Sequence, residues 1–232
     1  MFMNSSNPRR ILFLCSGGGG NLRFVHQAIN NNWLDRWSKI SVVADRECPA
    51  LDYARRQSFE TACEDFSETG QYNLLDAVRI LQPDIVITTV HRILREPLLD
   101  AYKSRLFNLH YSFLPAFAGT IGVKPVMAAM DYGACLVGAT VHLVTDTVDG
   151  GVPQTQIALP MGQNENLTVL MDSLFRAGCI ALYTALKRIE NPSGVQWTGG
   201  SLKIASRNAL INPYVSMPHE FDDEAFWLRI KT

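Results

Sequence analysis

The sequence lacks a charge excess of either sign, because 21 lysines and arginines nearly balance 22 aspartates and glutamates among its 232 residues. Proteins that bind nucleic acid usually carry a basic excess, so we do not expect a nucleic acid as a partner. Hydrophobic residues make up 47% of the chain, which excludes a disordered protein too polar to bury a core. The composition predicts a globular protein with a sizeable core.

Long apolar runs and paired cysteine motifs are also missing. No continuous apolar run approaches the roughly 18 residues that span a bilayer, and the run from Ile11 to Cys15 is too short for a signal-peptide core. The five cysteines are scattered and include no C-x-x-C pair, which argues against a disulfide framework and a zinc knuckle. We therefore expect a cytoplasmic protein with no membrane partner and no metal site.

Short runs of Val, Ile and Leu alternate with segments of helical spacing along the chain. The predicted strands are 11–15, 40–44, 59–62, 84–90, 106–110, 135–144 and 155–159, and the predicted helices are 21–31, 50–57, 74–81, 124–132 and 167–189. This order predicts an α/β fold, with a Rossmann-like, mostly parallel sheet and helices on both faces. Ligands of such folds bind beyond the carboxyl ends of the strands, so functional residues are expected in the loops there.

The last part of the chain is richer in polar and turn residues than the rest. We therefore expect one main domain over residues 1–190 and a short C-terminal extension over 191–232. Aromatic residues of the extension are expected to dock it onto the core: Trp197, Tyr214, Phe221, Phe226 and Trp227.

A glycine loop, Gly17 to Gly20, joins the first predicted strand to the first predicted helix. Backbone amides at the positive end of a helix bind anions, and four consecutive glycines exceed what a turn requires. The loop fits neither the dinucleotide fingerprint G-x-G-x-x-G nor the Walker A pattern. The alternative interpretation is a tight turn in which Asn21 caps the helix.

Two side chains near the end of the predicted strand 106–110 are candidates for a catalytic role. Asn108 and His110 lie on the same face of that strand, and a carboxamide beside an imidazole can stabilise a negative oxygen and handle a proton. A structural histidine is the alternative on spacing alone. Asp146 and Asp149 follow a later strand, where they could bind a cation, accept a proton or start a turn. The remaining histidines, His26, His142 and His219, are expected to pack or to lie at the surface.

Taken together, these stretches resemble the folate-dependent formyltransferase family over most of the first 190 residues. Residues 108–115 are similar to its Asn-x-His-x-Ser-x-Leu-Pro signature, and residues 138–142 followed by 146–151 are similar to its second signature. The segment 91–94 resembles the one whose backbone holds the pterin ring. Gly19-Gly20-Asn21 resembles the Gly-Ser-Asn that binds phosphate in phosphoribosylglycinamide formyltransferases.

The resemblance implies an enzyme whose catalytic domain, residues 1–190, transfers a formyl group from N10-formyltetrahydrofolate to a primary amine of a phosphorylated or nucleotide-linked small molecule. Asn108 and a protonated His110 would stabilise the oxyanion, while Asp149 would raise the basicity of the imidazole and accept a proton. By the same resemblance, the donor would bind at Val90, His91, Arg92, Ile93, Leu94, Val144, Thr145 and Asp146. The acceptor would bind at Gly19, Gly20, Asn21, Leu109 and Tyr111.

Three departures from the family pattern leave the acceptor open. Tyr111 follows the signature histidine, where glycinamide ribonucleotide enzymes usually have proline, and Thr120 to Pro125 replaces a histidine-bearing run. The closing helix has no acidic residue between Asp172 and Glu190, where those enzymes place a glutamate beside the acceptor amine. An amino sugar nucleotide is therefore an alternative to phosphoribosylglycinamide. A formyltetrahydrofolate hydrolase and a non-catalytic folate-binding protein are weaker alternatives, and a homodimer is an open possibility.

Overall fold

A computed structural model describes residues 9–192 and 198–231 of the chain. Its strands are β1 (Arg9–Cys15), β2 (Trp37–Ala44), β3 (Glu60–Cys63), β4 (Ile85–Thr88), β5 (Leu106–His110), β6 (Leu136–Leu143), β7 (Pro153–Pro160), β8 (Gly200–Ile204) and β9 (Arg207–Asn212). Its helices are α1 (Gly20–Asn30), α2 (Pro49–Arg56), α3 (Gln71–Leu81), α4 (Leu98–Ala101), α5 (Lys124–Tyr132), α6 (Leu167–Glu190) and α7 (Glu224–Lys231). All the predicted strands and helices are present: α5 and β5 have the predicted ends, and the ends of the others differ by at most three residues.

Within the described residues the strands form one sheet in the order β3-β2-β1-β4-β5-β6-β7-β9-β8. The pairs among β1 to β5 are parallel, and the pairs from β5 outward to β8 are antiparallel, so that only β6 and β9 oppose the other described strands. The predicted Rossmann-like, mostly parallel fold is confirmed. The strands β6 and β7 are antiparallel neighbours, because residues 144–152 are too few for the helical crossover that parallel neighbours need.

Alternate residues of β1 belong to two separate hydrophobic clusters, one on each face of the sheet. Ile11 and Phe13 are fully buried against the helices α1, α2 and α6, whereas Leu12 and Leu14 are fully buried against α3 and α4. Burial on both faces explains the continuous apolar run of this strand. Helices therefore cover both faces of the sheet.

The helix α6 closes the main cluster. The Asn166 side chain caps its amino end by accepting hydrogen bonds from the backbone amides of Thr168 (2.9 Å) and Val169 (3.2 Å). By length and composition α6 could cross a membrane, but 78% of its apolar window is buried inside the protein. This burial is that of a core helix.

The described part of the segment beyond residue 190 joins the sheet and its helical layer. The strand β9 pairs with β7, and β8 pairs with β9. On the helical side the Trp227 ring stacks on Phe24 of α1 with centroids 5.7 Å apart, and its indole nitrogen donates to the Phe221 carbonyl oxygen (2.9 Å). Phe221, Phe226 and Trp227 are buried as expected of docking residues, Tyr214 is 42% exposed, and Trp197 lies outside the described residues. The division of the chain at residue 190 stays a prediction.

A bidentate ion pair ties the strand β9 to the loop before α6. The two terminal nitrogens of Arg207 donate to the two carboxylate oxygens of Glu165 at 2.7 and 2.8 Å, and this pairing lowers the pKa of Glu165 to about 2. Since the pKa is below its ordinary value of 4.5, the pair stabilises the fold above that value and loses its effect as the pH falls toward 2.

We expect Glu165→Gln to lower the free energy of unfolding at pH 7 by about 1 kcal/mol, because the pair is charge-assisted yet close to the surface. The difference from the unmutated protein should shrink at pH 3, as measured by urea unfolding at both values. Glu68→Gln, which changes an exposed carboxylate, is the control. An equal difference at the two pH values would contradict the assignment.

Candidate active site

The site lies at the point where successive strands of the chain begin to be added to the opposite side of β1. The chain runs from β1 outward to β2 and β3, and then returns to add β4 on the other side of β1. Such a reversal leaves a crevice at the carboxyl ends of the two strands on either side of it. The glycine loop after β1 borders this crevice on one side, the segment after β4 borders it on the other, and β5 lies next to β4.

Pairing between β5 and β6 sets the face on which the functional side chains stand. Asn108 pairs with His142, and His110 pairs with Thr140. The Thr140 hydroxyl donates to the Ser112 carbonyl oxygen (2.8 Å) and accepts from the Leu114 amide (3.2 Å). The strand β6 therefore also fixes the turn that follows His110.

The loop between β6 and β7 carries Asp149 back toward β5. Asp149 has a φ of 53°, a left-handed conformation that aspartate tolerates better than most residues, and the Gly150 amide closes the turn by donating to the Thr147 carbonyl oxygen (3.0 Å). A Cβ on Gly151 would overlap the carbonyl oxygen of Leu143, so glycine is required there. The Asp-Gly-Gly run thus serves both as a turn and as a means of aiming the carboxylate.

The Asp149 carboxylate is the centre of a buried polar cluster. Its Oδ2 accepts a hydrogen bond from the Gly119 amide (2.8 Å) and lies 3.5 Å from Nδ1 of His110. Its Oδ1 lies 3.4 Å from Nδ2 of Asn108 and 3.5 Å from Nε2 of His142. The structure therefore brings together Asn108, His110 and Asp149, as the resemblance implies, although their roles remain a proposal.

His142 is a member of this cluster that the sequence analysis missed. Its Nδ1 lies 2.8 Å from the Leu143 carbonyl oxygen, which can only accept, so Nδ1 carries a hydrogen. In the neutral ring Nε2 then accepts from Nδ2 of Asn108 at 3.2 Å, which fixes the orientation of the carboxamide. The second family signature includes this histidine without giving it a role, and only the register of β5 against β6 places it opposite Asn108.

For His110 and for Asp149, burial shifts the pKa in one direction and neighbouring groups shift it in the other. Burial lowers the pKa of the His110 imidazole below its ordinary value, and the nearby Asp149 carboxylate opposes this shift without cancelling it. Burial alone would raise the pKa of Asp149, but the neighbouring His142 and His110 side chains and the hydrogen bond from the Gly119 amide lower it overall. At neutral pH the site thus holds a carboxylate beside a largely neutral His110.

One cavity contains most of the residues that the resemblance assigns to ligands. Those that line it are Val90, His91, Arg92, Ile93, Leu94, Val144 and Thr145 from the donor set, Leu109 and Tyr111 from the acceptor set, and Asn108, His110, His142 and Asp149. Asp146 is not among its lining residues. The segment 90–94 is anchored by the buried Gln71, whose side-chain oxygen accepts from the Arg95 amide (3.1 Å).

The residues Gly19, Gly20 and Asn21 lie outside this cavity but are connected to it through Tyr111. The Tyr111 hydroxyl donates to the Asn21 side-chain oxygen (3.3 Å), and the Asn21 amide nitrogen lies 3.4 Å from Sγ of Cys179 on α6. A Cβ on Gly178 would stand 2.8 Å from the Tyr111 ring. The absence of a side chain at Gly178 therefore makes room for the tyrosine that follows His110.

Comparison with known proteins identifies the family to which the chain is similar. The model of the formyl transferase family matches residues 9–186. The chain is 33% identical over 162 residues to phosphoribosylglycinamide formyltransferase of Mycobacterium tuberculosis, covering 67% of this chain and 73% of that protein. It is 28% identical over 165 residues to the chloroplastic phosphoribosylglycinamide formyltransferase of Vigna unguiculata, covering 68% of this chain but only 53% of that protein.

Among solved structures, glycinamide ribonucleotide transformylase 1 from Symbiobacterium toebii superposes with a TM-score of 0.75 and 26% identity, covering 83% of this chain and 92% of that one. These matches confirm the resemblance seen in the sequence, and with it the expectation of a formyltransferase that takes its formyl group from N10-formyltetrahydrofolate. The family model covers most of the chain, including every strand from β1 to β7 and the whole polar cluster. The chain belongs to the formyl transferase family.

Proposed function

We propose that this chain transfers the formyl group of N10-formyltetrahydrofolate to the primary amine of phosphoribosylglycinamide. The observation that carries the proposal is the cluster of Asn108, His110 and Asp149 on the wall of one cavity at the carboxyl ends of the central strands. The acceptor is the one named for both relatives and, as glycinamide ribonucleotide, for the solved structure described above.

The cavity has the features that a folate donor requires. Val90, Leu94, Val144 and Val148 give it apolar walls, and the backbone of the segment 90–94 runs along one side. The Nε2 atom of His110 is buried and has no hydrogen-bond partner among the described residues. A buried polar atom normally has a partner, so this nitrogen is suited to meet a ligand group. When bound, the donor supplies the carbonyl carbon that the amine attacks.

In this mechanism Asn108 stabilises negative charge on the reacting carbonyl oxygen. One hydrogen of its Nδ2 is held by Nε2 of His142 at 3.2 Å. The other faces Asp149 at 3.4 Å, a long contact that a closer acceptor can replace. A donor held in advance by a neighbouring side chain needs little reorganisation when the charge develops, and this lowers the barrier.

His110 and Asp149 handle the proton of the attacking amine. Nδ1 of His110 faces the Asp149 carboxylate at 3.5 Å, so the neutral ring carries its hydrogen on Nδ1 and presents a lone pair at Nε2. Because its pKa is lowered, His110 is largely neutral before reaction and becomes protonated only by taking the proton of the amine. Asp149 then stabilises the imidazolium, which would return the proton to N10 of the folate as the bond between N10 and the formyl carbon breaks.

An amino sugar nucleotide is the second candidate acceptor, and the surface of α6 favours it. Its carboxylates are engaged elsewhere: Asp172 pairs with Arg176 and Lys231, and Glu190 pairs with Lys187 at 2.9 Å. No carboxylate of the described α6 therefore lines the cavity beside Tyr111. An acceptor amine would rely on Asp149 alone for a negative partner.

The test is to follow loss of the formyl group from N10-formyltetrahydrofolate by absorbance with purified protein. The reaction would be run without acceptor, with phosphoribosylglycinamide, and with a panel of nucleotide-linked amino sugars. We expect loss that depends on phosphoribosylglycinamide, together with formation of the formylated acceptor by mass spectrometry. Loss of the formyl group only with a sugar nucleotide would mean that the acceptor is an amino sugar nucleotide and not phosphoribosylglycinamide. Loss without any acceptor would indicate a hydrolase. No loss of the formyl group, together with measurable binding of the donor, would indicate a binding protein.

A further inference from the structure

Arg23, on the first turn of α1, joins two parts of the chain that are far apart in sequence. Its Nη1 donates to the Gly18 carbonyl oxygen (2.8 Å) in the glycine loop. Its Nε donates to the carbonyl oxygen of Ile230 (2.8 Å), and its Nη2 donates to that of Lys231 (3.2 Å), at the end of α7. One guanidinium thus bridges the glycine loop and the C-terminal helix.

We propose that Arg23 is a positioning residue through which α7 holds the glycine loop in the conformation that binds the phosphate of the acceptor. The inference rests on the proposed function, because it needs an acceptor that carries a phosphate, and it takes the glycine loop to be the site of that phosphate, as the resemblance implies. It assigns to the C-terminal segment a role in the site, beyond docking onto the core.

The first argument concerns the direction of the loop's carbonyl groups. An anion is repelled by carbonyl oxygens and attracted by amide hydrogens, so a phosphate-binding loop must turn its carbonyls away. The Gly17 carbonyl oxygen accepts from the Ala50 amide (3.1 Å), and the Gly18 carbonyl oxygen accepts from Arg23. In a trans peptide the amide points opposite to the carbonyl, so fixing the Gly18 oxygen turns the Gly19 amide away from Arg23.

The second argument concerns space around the loop. A Cβ added to Gly17 or Gly18 would meet no atom within 4 Å, whereas one on Gly19 would stand 2.9 Å from Cβ of Ala50. The loop is therefore packed against α2 on one side and open on the side of Gly17 and Gly18. Gly19 has a φ of 73°, which favours glycine and gives the loop its turn into α1.

The third argument concerns what fixes Arg23 itself. The last carbonyls of a helix have no partner within the helix, and a cation near them is favourable. Arg23 satisfies two of them in α7, and α7 is in turn held to α6 by the pair between Arg176 and Glu224 (2.7 Å). The Arg23 guanidinium also lies 5.8 Å from the centre of the Tyr53 ring on α2. Its position is thus determined from α1, α2 and α7 together.

The experiment compares the unmutated protein with Arg23→Ala and Arg23→Lys, using Arg79→Ala on the exposed side of α3 as a matched control. Lysine keeps the positive charge, but it lacks the planar guanidinium that donates to the glycine loop and to α7 at the same time. We expect both Arg23 variants to raise the KM for phosphoribosylglycinamide about tenfold, the loss typical of a charge-assisted hydrogen bond. The kcat and the KM for the folate donor should stay within twofold of the unmutated values.

A substrate without phosphate separates positioning from a general structural role. With the dephosphorylated riboside as acceptor, the Arg23 variants and the unmutated protein should have the same KM. Inorganic phosphate, measured by titration calorimetry, should bind the Arg23 variants about tenfold more weakly than the unmutated protein and the Arg79 variant. Full activity of Arg23→Lys would overturn the bridging role and leave only a charge effect.

The calorimetric measurement of phosphate binding also distinguishes failure of this inference from failure of the proposed function. Unmutated protein that binds phosphate but formylates no phosphorylated acceptor would overturn the proposed function alone. Equal phosphate affinity in the unmutated protein and the Arg23 variants would overturn the role of Arg23, and so would absence of phosphate binding altogether. If Arg23→Ala does not fold, Arg23→Lys carries the same comparison, because it keeps both the charge and the aliphatic stem.

Discussion

Replacing His110 by alanine is expected to lower kcat about a thousandfold, while the KM values for donor and acceptor change only a few fold. The reason is that Nε2 of His110 is the buried nitrogen on the cavity wall without a partner among the described residues, and Nδ1 is held toward Asp149. A group that acts on the moving proton contributes to the transition state and little to the binding of either substrate.

The measurement is steady-state turnover with both substrates varied, combined with thermal unfolding to show that the variant is folded. His219→Ala is the matched control, since the side chain of His219 is 93% exposed and lies far along the chain from the cavity residues. Turnover of His110→Ala within tenfold of the unmutated protein would exclude His110 as the group that moves the proton.

Replacing Asp149 by asparagine is expected to lower kcat about a hundredfold and to move the acidic limb of the pH profile to lower pH. Asparagine is nearly the same size and tolerates the left-handed φ of 53°, so the loop should keep its conformation. Its side-chain oxygen can still accept from the Gly119 amide. What is lost is the negative charge beside His110.

The sign of the pH shift follows from the pKa of His110. Burial lowers that pKa and the Asp149 carboxylate raises it, so removal of the charge lowers the pKa further. Activity needs the neutral imidazole and falls as the pH drops through the pKa, so the unmutated enzyme should lose activity below the ordinary value of 6.5. In Asp149→Asn this loss should occur at still lower pH. Asp76→Asn on the exposed face of α3 is the control, and an unchanged limb would contradict the coupling.

The predictions that succeeded depended on patterns within single segments. Helix α5 and strand β5 have the predicted bounds, because a proline near the start and glycine after the end delimit α5, and a short apolar run delimits β5. The same-face placement of Asn108 and His110 followed from the period of a strand. Such features are local, so one sequence contains enough information to predict them.

The predictions that failed or were absent depended on pairing between distant segments. The antiparallel pairing of β6 with β7 reflects the short connection between them, and the position of His142 reflects the register between β5 and β6. The strands β8 and β9 were not expected, although alternation of Leu202 with Ile204 and of Ala209 with Ile211 is a signal of a half-buried strand.

The place of β9 in the sheet has a consequence for synthesis of the chain. A ribosome makes β5, β6 and β7 before β9, so the nascent chain can assemble its polar cluster while the outer edge of β7 is still unpaired. An unpaired strand edge recruits other strands, and intermolecular pairing of such edges leads to aggregation. The hairpin of β8 and β9 caps that edge, and exposed Lys203 on the new outer strand is the kind of charged residue that discourages further pairing.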